Sequence, residues 1–429
     1  MAGNSATRNL EAFKPARARD DHGSVSPKTQ LIDYQQTDFQ MTHPIYLDGF
    51  ATLPLAPEAR DAMFAAWALP GNAGSPNVAG ETAARTIAAG REFVADLIGA
   101  VSSEITFTSG ATEANNLAIL GAAQTARRQE PSRKRILVSA VEHKAVLEPA
   151  YTLRSEGFEV TIAPVDGRGR LDLVEFSKLV GRDLLLASVM LVNNETGVIQ
   201  PVKEAAALAH ESGALFHSDA AQAAGKIDID VVKLDVDYLT VSAHKCYGPM
   251  GVGALYIAAS APKPVPLSWG GGQQSGLRPG TEPVALIAGF GAAARVARER
   301  LASDREHCSG LIEQLLGTLQ QRQLRFRLVS GDAPTVPGTA SIQLIGVDAD
   351  ELCARIAHRV SLSTGSACTS GQIKSSHVLD SIGLSEIDAR GVIRIFCNRY
   401  QNSDEILRAA AHIVDAAALS RLETGEVHQ

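Results

Sequence analysis

Four short strings carry residues able to do chemistry. Ser242-Ala243-His244-Lys245-Cys246-Tyr247-Gly248-Pro249 sets a lysine at the end of an apolar run, ahead of a Gly-Pro turn. A desolvated lysine has a lowered pKa and can form a Schiff base, although a lone lysine at a strand end is more often a surface residue. His217-Ser218-Asp219-Ala220-Ala221-Gln222 places a carboxylate just after another apolar run, where open α/β sheets bind their ligands. Taken alone, Asp219 is equally a cap for the next helix. Thr108-Ser109-Gly110-Ala111-Thr112-Glu113 leads into the helical run Ala114–Ala123. Free N–H groups and the helix dipole suit a phosphate there, and a small-residue helix cap is the plainer alternative. Ser363-Thr364-Gly365-Ser366-Ala367-Cys368-Thr369-Ser370-Gly371 surrounds one thiol with small polar residues, a setting that favours an exposed, mobile, reactive cysteine over a buried one.

Together, an amine, a carboxylate and a phosphate cradle suit pyridoxal phosphate (PLP). A carboxylate that keeps the pyridine nitrogen protonated makes that ring a strong electron sink. Cys308, Cys353 and Cys397 lie in apolar or helical contexts and look structural; Cys246, beside the lysine, has no clear role. No CxxC or HExxH spacing occurs, so no metal is expected.

These residues need a frame that brings distant strings together. Short apolar runs alternate with helical segments: Ile105–Thr108, Ile136–Ser139, Glu159–Pro164, Leu184–Val192, Leu215–Ser218, Tyr238–Ser242 and Ala254–Ile257. Several are apolar on consecutive residues, as strands covered on both faces of a mostly parallel sheet are. The alternation predicts a doubly wound α/β domain over 57–297. A helical stripe runs through Glu81–Leu97. Beyond it, Leu301–Gln321 predicts a long helix, Arg325–Val329, Thr339–Leu344 and Val392–Phe396 predict strands, and Ala349–Arg359 and Asp404–Ala418 predict helices. This second set, with 44–56, predicts a smaller α+β domain over 298–429 that carries the Cys368 loop.

The chain has 429 residues, 40 Lys+Arg against 47 Asp+Glu, a net charge of -7, 45% hydrophobic and 20% charged residues, and five cysteines. That length allows a large core, and the composition argues against general disorder. The acidic balance disfavours direct nucleic-acid binding as the main activity. An odd, dispersed cysteine count argues for reduced thiols in a cytoplasm over a disulfide framework. No apolar run is long enough to span a bilayer, and the N-terminus lacks the apolar region of a signal peptide. Residues 1–43 mix Glu11, Asp20, Asp21, Asp33 and Asp38 with Arg8, Lys14, Arg17, Arg19 and Lys28, unlike a transit peptide. They are expected to form a disordered extension, with Met41 as a second possible start.

In order and spacing the four strings resemble the class V aminotransferase superfamily of PLP enzymes, and within it the cysteine desulfurases of the NifS and IscS group. The resemblance runs from Ile45 to about Leu419 and is most specific at Ser242–Gly248 and Ser363–Ser370. It implies the fold type I architecture: a large domain with a mainly parallel seven-stranded sheet between helices, and a smaller α+β domain. It implies that Lys245 holds PLP covalently, that Asp219 pairs with the ring nitrogen and that Gln222 lies near the phenolic oxygen. His143, in Val141-Glu142-His143-Lys144, matches the residue that stacks on the ring and assists proton transfer. Thr112, Ser242 and His244 match phosphate ligands. Thr281, in Arg278-Pro279-Gly280-Thr281, matches a residue that reaches the phosphate of a neighbouring subunit, which implies a homodimer. Asn194 and Arg394 match groups at the cofactor and the substrate carboxylate, a task suited to a bidentate guanidinium.

The implied reaction takes L-cysteine to L-alanine and leaves a persulfide on Cys368 for a sulfur acceptor, either an iron–sulfur scaffold or a thiolation enzyme. Leu53, Asn77, Lys374, Phe396 and Asn398 depart from the family pattern without removing a named catalytic group. A related PLP lyase or aminotransferase acting on another amino acid is the alternative, and Cys368 weighs against it because a transaminase has no use for a mobile thiol.

Overall fold

Seven apolar runs pair into one sheet. In the computed structural model, which describes residues 43–364 and 376–420, their spatial order is Ile105–Thr108, Gly253–Ile257, Tyr238–Ser242, Leu215–Asp219, Leu184–Ser188, Arg135–Ser139 and Glu159–Ala163. Gly253–Ile257 runs antiparallel to both neighbours; the remaining pairings are parallel. Residues 1–42, 365–375 and 421–429 lie outside the described residues, and with them Met41, Lys374 and Cys368.

Alternate residues of each strand face opposite layers, and both layers are apolar. Leu137, Ala187, Leu239 and Val241 pack with Val94, Phe216 and Phe290 on one face. Ile136, Val138, Leu186 and Tyr238 pack with Leu117, Ala118 and Val146 on the other. Burial on both sides explains why these strands read as continuous apolar runs. The apolar stretch expected to reach Val192 is a regular strand only to Ser188; beyond it the Val189 and Leu191 N–H groups still donate to the His217 and Asp219 carbonyls, while the Met190 N–H turns to the Glu142 carboxylate at 2.7 Å.

A second, antiparallel sheet has the order Ser363–Thr364, Val392–Phe396, Thr339–Leu344, Phe326–Leu328. Ile342, Leu344, Ile393 and Ile395 bury one face of it against Leu315, Leu319, Ile406 and Ile413. The long helix begins earlier than its stripe suggested. Val284–Gln321 is continuous, with Ile287, Phe290 and Ala294 packing on the large sheet's core and Leu311, Leu315 and Leu319 on the small one's. The Gly- and Ala-rich first half lets it approach Gly90 of the helix Val78–Ile98, where a Cβ on Gly291 would lie 2.6 Å from the Gly90 Cα. No helix among the described residues is long and apolar enough to cross a membrane.

Candidate active site

The carboxyl ends of the parallel strands open on a cavity of about 550 Å³. Thr112, His143, Asn194, Asp219, Gln222, Ser242, His244, Lys245 and Arg394 all line it. Asp219 and Ser242 terminate adjacent strands, and His244 and Lys245 follow in a single helical turn, Ala243–Lys245. Thr112 sits in the first turn of a helix that continues, through one π-type segment at Leu117–Gly121, to Gln129. That first turn offers N–H groups without intrahelical acceptors. His143 caps the helix Lys144–Thr152, and Arg394 reaches in from the middle of Val392–Phe396 on the small sheet. Thr281 is exposed and does not line the cavity of its own chain.

The turn behind Lys245 is held tightly. The N–H groups of Cys246 and Gly248 both donate to the Ala243 carbonyl, at 2.9 and 2.8 Å. A Cβ on Gly248 would stand 2.9 Å from that carbonyl oxygen, so the turn needs glycine there. Between them Tyr247 takes a φ of 65°, a left-handed conformation costing a bulky residue about 1–3 kcal/mol. Its surroundings hold it there: the Arg399 guanidinium stacks 3.7 Å from its ring centre, and the Arg399 N–H donates to its hydroxyl at 3.1 Å.

Burial sets the electrostatics. It pulls the Lys245 ammonium down to about 8, helped by Arg394 and opposed by Asp219 and Asp48. Lys245 Nζ donates to the Phe50 carbonyl. Asp219 is buried; its Oδ2 accepts from Asn115 Nδ2 at 2.7 Å and its Oδ1 from the Ala221 N–H at 2.9 Å. Surrounding protein lowers the His143 pKa, against the pull of Asp219, although the ring is open to the cavity. His143 Nδ1 accepts the Ala145 N–H at 3.0 Å, which leaves the proton of the neutral ring on Nε2. Burial, with Lys245 and Lys226 adding to it, pushes His244 down to about 4, and its Nδ1 lies 3.2 Å from Thr52 Oγ1. Arg394 donates to the Asn194 carbonyl at 3.2 Å and lies 3.8 Å from Asp48; its buried Nε has no hydrogen-bond partner among the described residues.

Several members of the site were not foreseen. The Phe50 carbonyl accepts from both Lys245 and Gln222, and no side-chain pattern signals a backbone oxygen. Asn115 had a signal, a polar residue inside an Ala- and Leu-rich helix. Fully buried Glu142 is pushed up to about 8 by desolvation and accepts from Ser139 Oγ at 2.6 Å. Burial also raises Glu195, which accepts from Ser376 Oγ at 2.5 Å.

The four described thiols are poor nucleophiles. Burial pushes Cys246, Cys308 and Cys353 up to about 12 and Cys397 higher still. Cys246 Sγ also donates to the Ala243 carbonyl at 3.3 Å.

The departures from the family pattern have local explanations. Asn77 caps the helix Val78–Ile98, accepting the Gly80 N–H at 2.9 Å. Phe396 meets Phe50 edge to face with ring centres 5.4 Å apart. Leu53 is buried beside both, and buried Asn398 donates to the Tyr46 carbonyl.

A near-neutral amine, a buried carboxylate, a helix N-terminus and an open imidazole therefore surround one cavity. They match a ligand bearing an aldehyde, a basic ring nitrogen and a phosphate, at the cleft where open α/β enzymes bind ligands. The comparisons agree. The family described as aminotransferase class-V matches residues 45–408. The mitochondrial cysteine desulfurase of Candida maltosa is 38% identical over 390 residues, 90% of this chain and 79% of that protein. The cysteine desulfurase IscS of Rickettsia massiliae is 38% identical over 370 residues, 86% of this chain and 89% of that one. A solved NifS-like protein superposes with a TM-score of 0.80 at 33% identity, covering 88% of this chain and 100% of its own. The chain belongs to the aminotransferase class-V family of PLP-dependent enzymes, on the branch that holds the cysteine desulfurases.

Proposed function

We propose that this chain is a cysteine desulfurase, converting L-cysteine to L-alanine and passing the sulfur, as a persulfide on Cys368, to an acceptor protein. The acceptor is an iron–sulfur scaffold or a nucleic-acid thiolation enzyme. The observation that carries this reading is the convergence of Lys245, Asp219, His143 and Arg394 on one cavity. PLP, when bound there, supplies an electron sink for charge developing at the substrate's α-carbon.

The side chains then divide the work. Lys245, its ammonium destabilised to about 8 by burial, holds the cofactor and carries the α-proton once freed. Asp219, oriented by Asn115 and the Ala221 N–H, would pair with the ring nitrogen. His143, with its Nδ1 engaged by the Ala145 N–H, would stack on the ring and holds a proton at Nε2. Thr112, Ser242, neutral His244 and the first turn of the 111–129 helix would hold the phosphate, and Gln222 would serve the phenolic oxygen. Arg394, which lines the cavity, and Asn194 hold the substrate, the planar guanidinium fork suiting its carboxylate.

Cys368 attacks the substrate sulfur as a thiolate. An S–S bond forms, the C–S bond breaks, and the electron pair returns to the carbon that becomes alanine's methyl group. The high pKa values of the other four thiols support assigning this step to Cys368. Thr364 pairs with Ile393 beside Arg394, and on the far side of the loop Ser376 and His377 bond to Glu195 and to the Glu142 carbonyl. The exposed Thr281 and the 82% exposed Trp269 of the same loop support a homodimer in which Thr281 completes the partner's phosphate site. We place the enzyme in a cytoplasm, where its thiol stays reduced.

The test is C368S. The purified variant should bind PLP as the wild type does, yet form no protein persulfide and release no sulfide from cysteine with reductant. Full desulfurase activity in C368S, or a keto acid in place of alanine from the wild type, would overturn the reading.

A further inference from the structure

Lys226 is the one buried lysine among the described residues that the proposed reaction does not use. Its side chain lies beneath the site, 7% exposed, with Nζ 5.2 Å from the centre of the Phe396 ring. Burial pulls its pKa well below the ordinary lysine value, and Lys245 adds to the effect. No carboxylate forms an ion pair with it among the described residues. Its hydrogen bond goes to Gln222 Oε1, at 3.0 Å. A small void bounded by Lys226, Asp304 and Cys308 lies alongside, with room for about one water.

A methionine would fill the same volume without the desolvation penalty of an amine. The amine's contribution must therefore be its N–H donor, and that donor meets Gln222. Gln222 lines the cavity, and its Nε2 donates to the Phe50 carbonyl at 2.9 Å. A carbonyl oxygen only accepts, so Nε2 must face it; Lys226, as ammonium or amine, donates to the other end. The amide is held from both sides in one of its two orientations. One Nε2 proton is used by Phe50, and the second remains for the cavity.

We propose that Lys226 is a positioning residue for the cofactor site. By donating to Gln222 Oε1 it prevents the amide from flipping, so that Gln222 presents an N–H, and never its carbonyl oxygen, to the anionic oxygen of the bound ring. This rests on the PLP reading above, but not on which amino acid is the substrate. A free Gln222 could turn its Oε1 to that oxygen, replacing a charge-assisted hydrogen bond with a repulsion.

The test is a double-mutant cycle on cofactor affinity, read by titrating apoprotein with PLP. K226M should weaken PLP binding about tenfold, the worth of one hydrogen bond to a charged group. Q222M should weaken it by a similar or larger factor. The double variant should bind within about threefold of Q222M, because Lys226 has nothing left to orient. Unchanged affinity in K226M overturns the proposal, as does full additivity of the two losses, which marks a structural role. Should K226M fail to fold, a wild-type structure at about 1.2 Å or better, where amide hydrogens are seen, decides the matter. Gln222 Oε1 on Lys226 supports the proposal, and Nε2 there overturns it. These readouts stand apart from the desulfurase assay, so a different substrate would leave them intact.

Discussion

Asn115 Nδ2 donates to Asp219 Oδ2 at 2.7 Å, joining the helix that begins at Ala111 to the carboxylate at the end of a central strand. Asn115 is fully buried, so its amide has no solvent competing for it. A hydrogen bond to a charged group is worth about 1.5–3 kcal/mol. N115A should therefore retain PLP about tenfold less tightly or worse, with the loss visible in apoprotein titration. D219N keeps the shape but not the charge and should lower kcat about a hundredfold or more. Wild-type turnover in D219N would remove Asp219 from the proposed role.

The pH response of the apoprotein follows from Lys245. Its pKa falls from 10.5 in the unfolded chain to about 8 in the folded one, chiefly through burial. Between pH 8 and 10.5 the unfolded chain binds a proton that the folded protein does not, so this residue makes stability rise with pH across that window. Below pH 8 the cost of burying the ammonium is present in full. K245M apoprotein should accordingly be more stable than wild type near pH 7, with the difference shrinking as the pH climbs to 10.5. Denaturant unfolding at several pH values measures it; a constant difference contradicts the depressed pKa.

Arg394 lies between the Asn194 carbonyl and Asp48 and lines the cavity. Lysine offers a point charge in place of a planar fork. R394K should raise KM for cysteine about ten- to a hundredfold with a smaller change in kcat, as expected for lost carboxylate binding. An unchanged KM would argue that the substrate carboxylate is held elsewhere.

Gly49 and Phe396 form a packed pair. A Cβ at position 49 would stand 2.5 Å from the Phe396 ring. G49A should destabilise the protein by about 1–3 kcal/mol through overpacking, and F396V in the same chain should recover part of the loss. Additive destabilisation of the two substitutions would show that the ring is not what the methyl group meets.

Much of the cofactor end of the site was legible in the sequence, for a local reason. Asp219, Ser242, His244 and Lys245 sit at or just beyond the ends of short apolar runs, and a strand's carboxyl end in a parallel sheet points its next residues into the cleft. The strands themselves were legible because burial on both faces makes them continuously apolar. Boundaries were less so. Leu184–Ser188 ends before the apolar run does, and Glu142, distant in sequence, takes the Met190 amide. The helix Val284–Gln321 starts before its charged, periodic half, because its first turns bury small residues against another helix.

What the sequence determined by itself was a set of candidate groups: the amine, the carboxylate and the thiol in a small-residue loop were flagged by their immediate neighbours, and the imidazole and the guanidinium by the family resemblance. What only the tertiary structure decided was their condition. The depressed pKa of Lys245, the raised pKa values of four cysteines, the orientation of Asp219 by Asn115 and the two-sided hold on Gln222 by Lys226 and the Phe50 carbonyl all arise between residues far apart in the chain. Desolvation depends on everything packed around a group, and a hydrogen bond depends on distances of a few ångströms; neither is a property of local order along the chain.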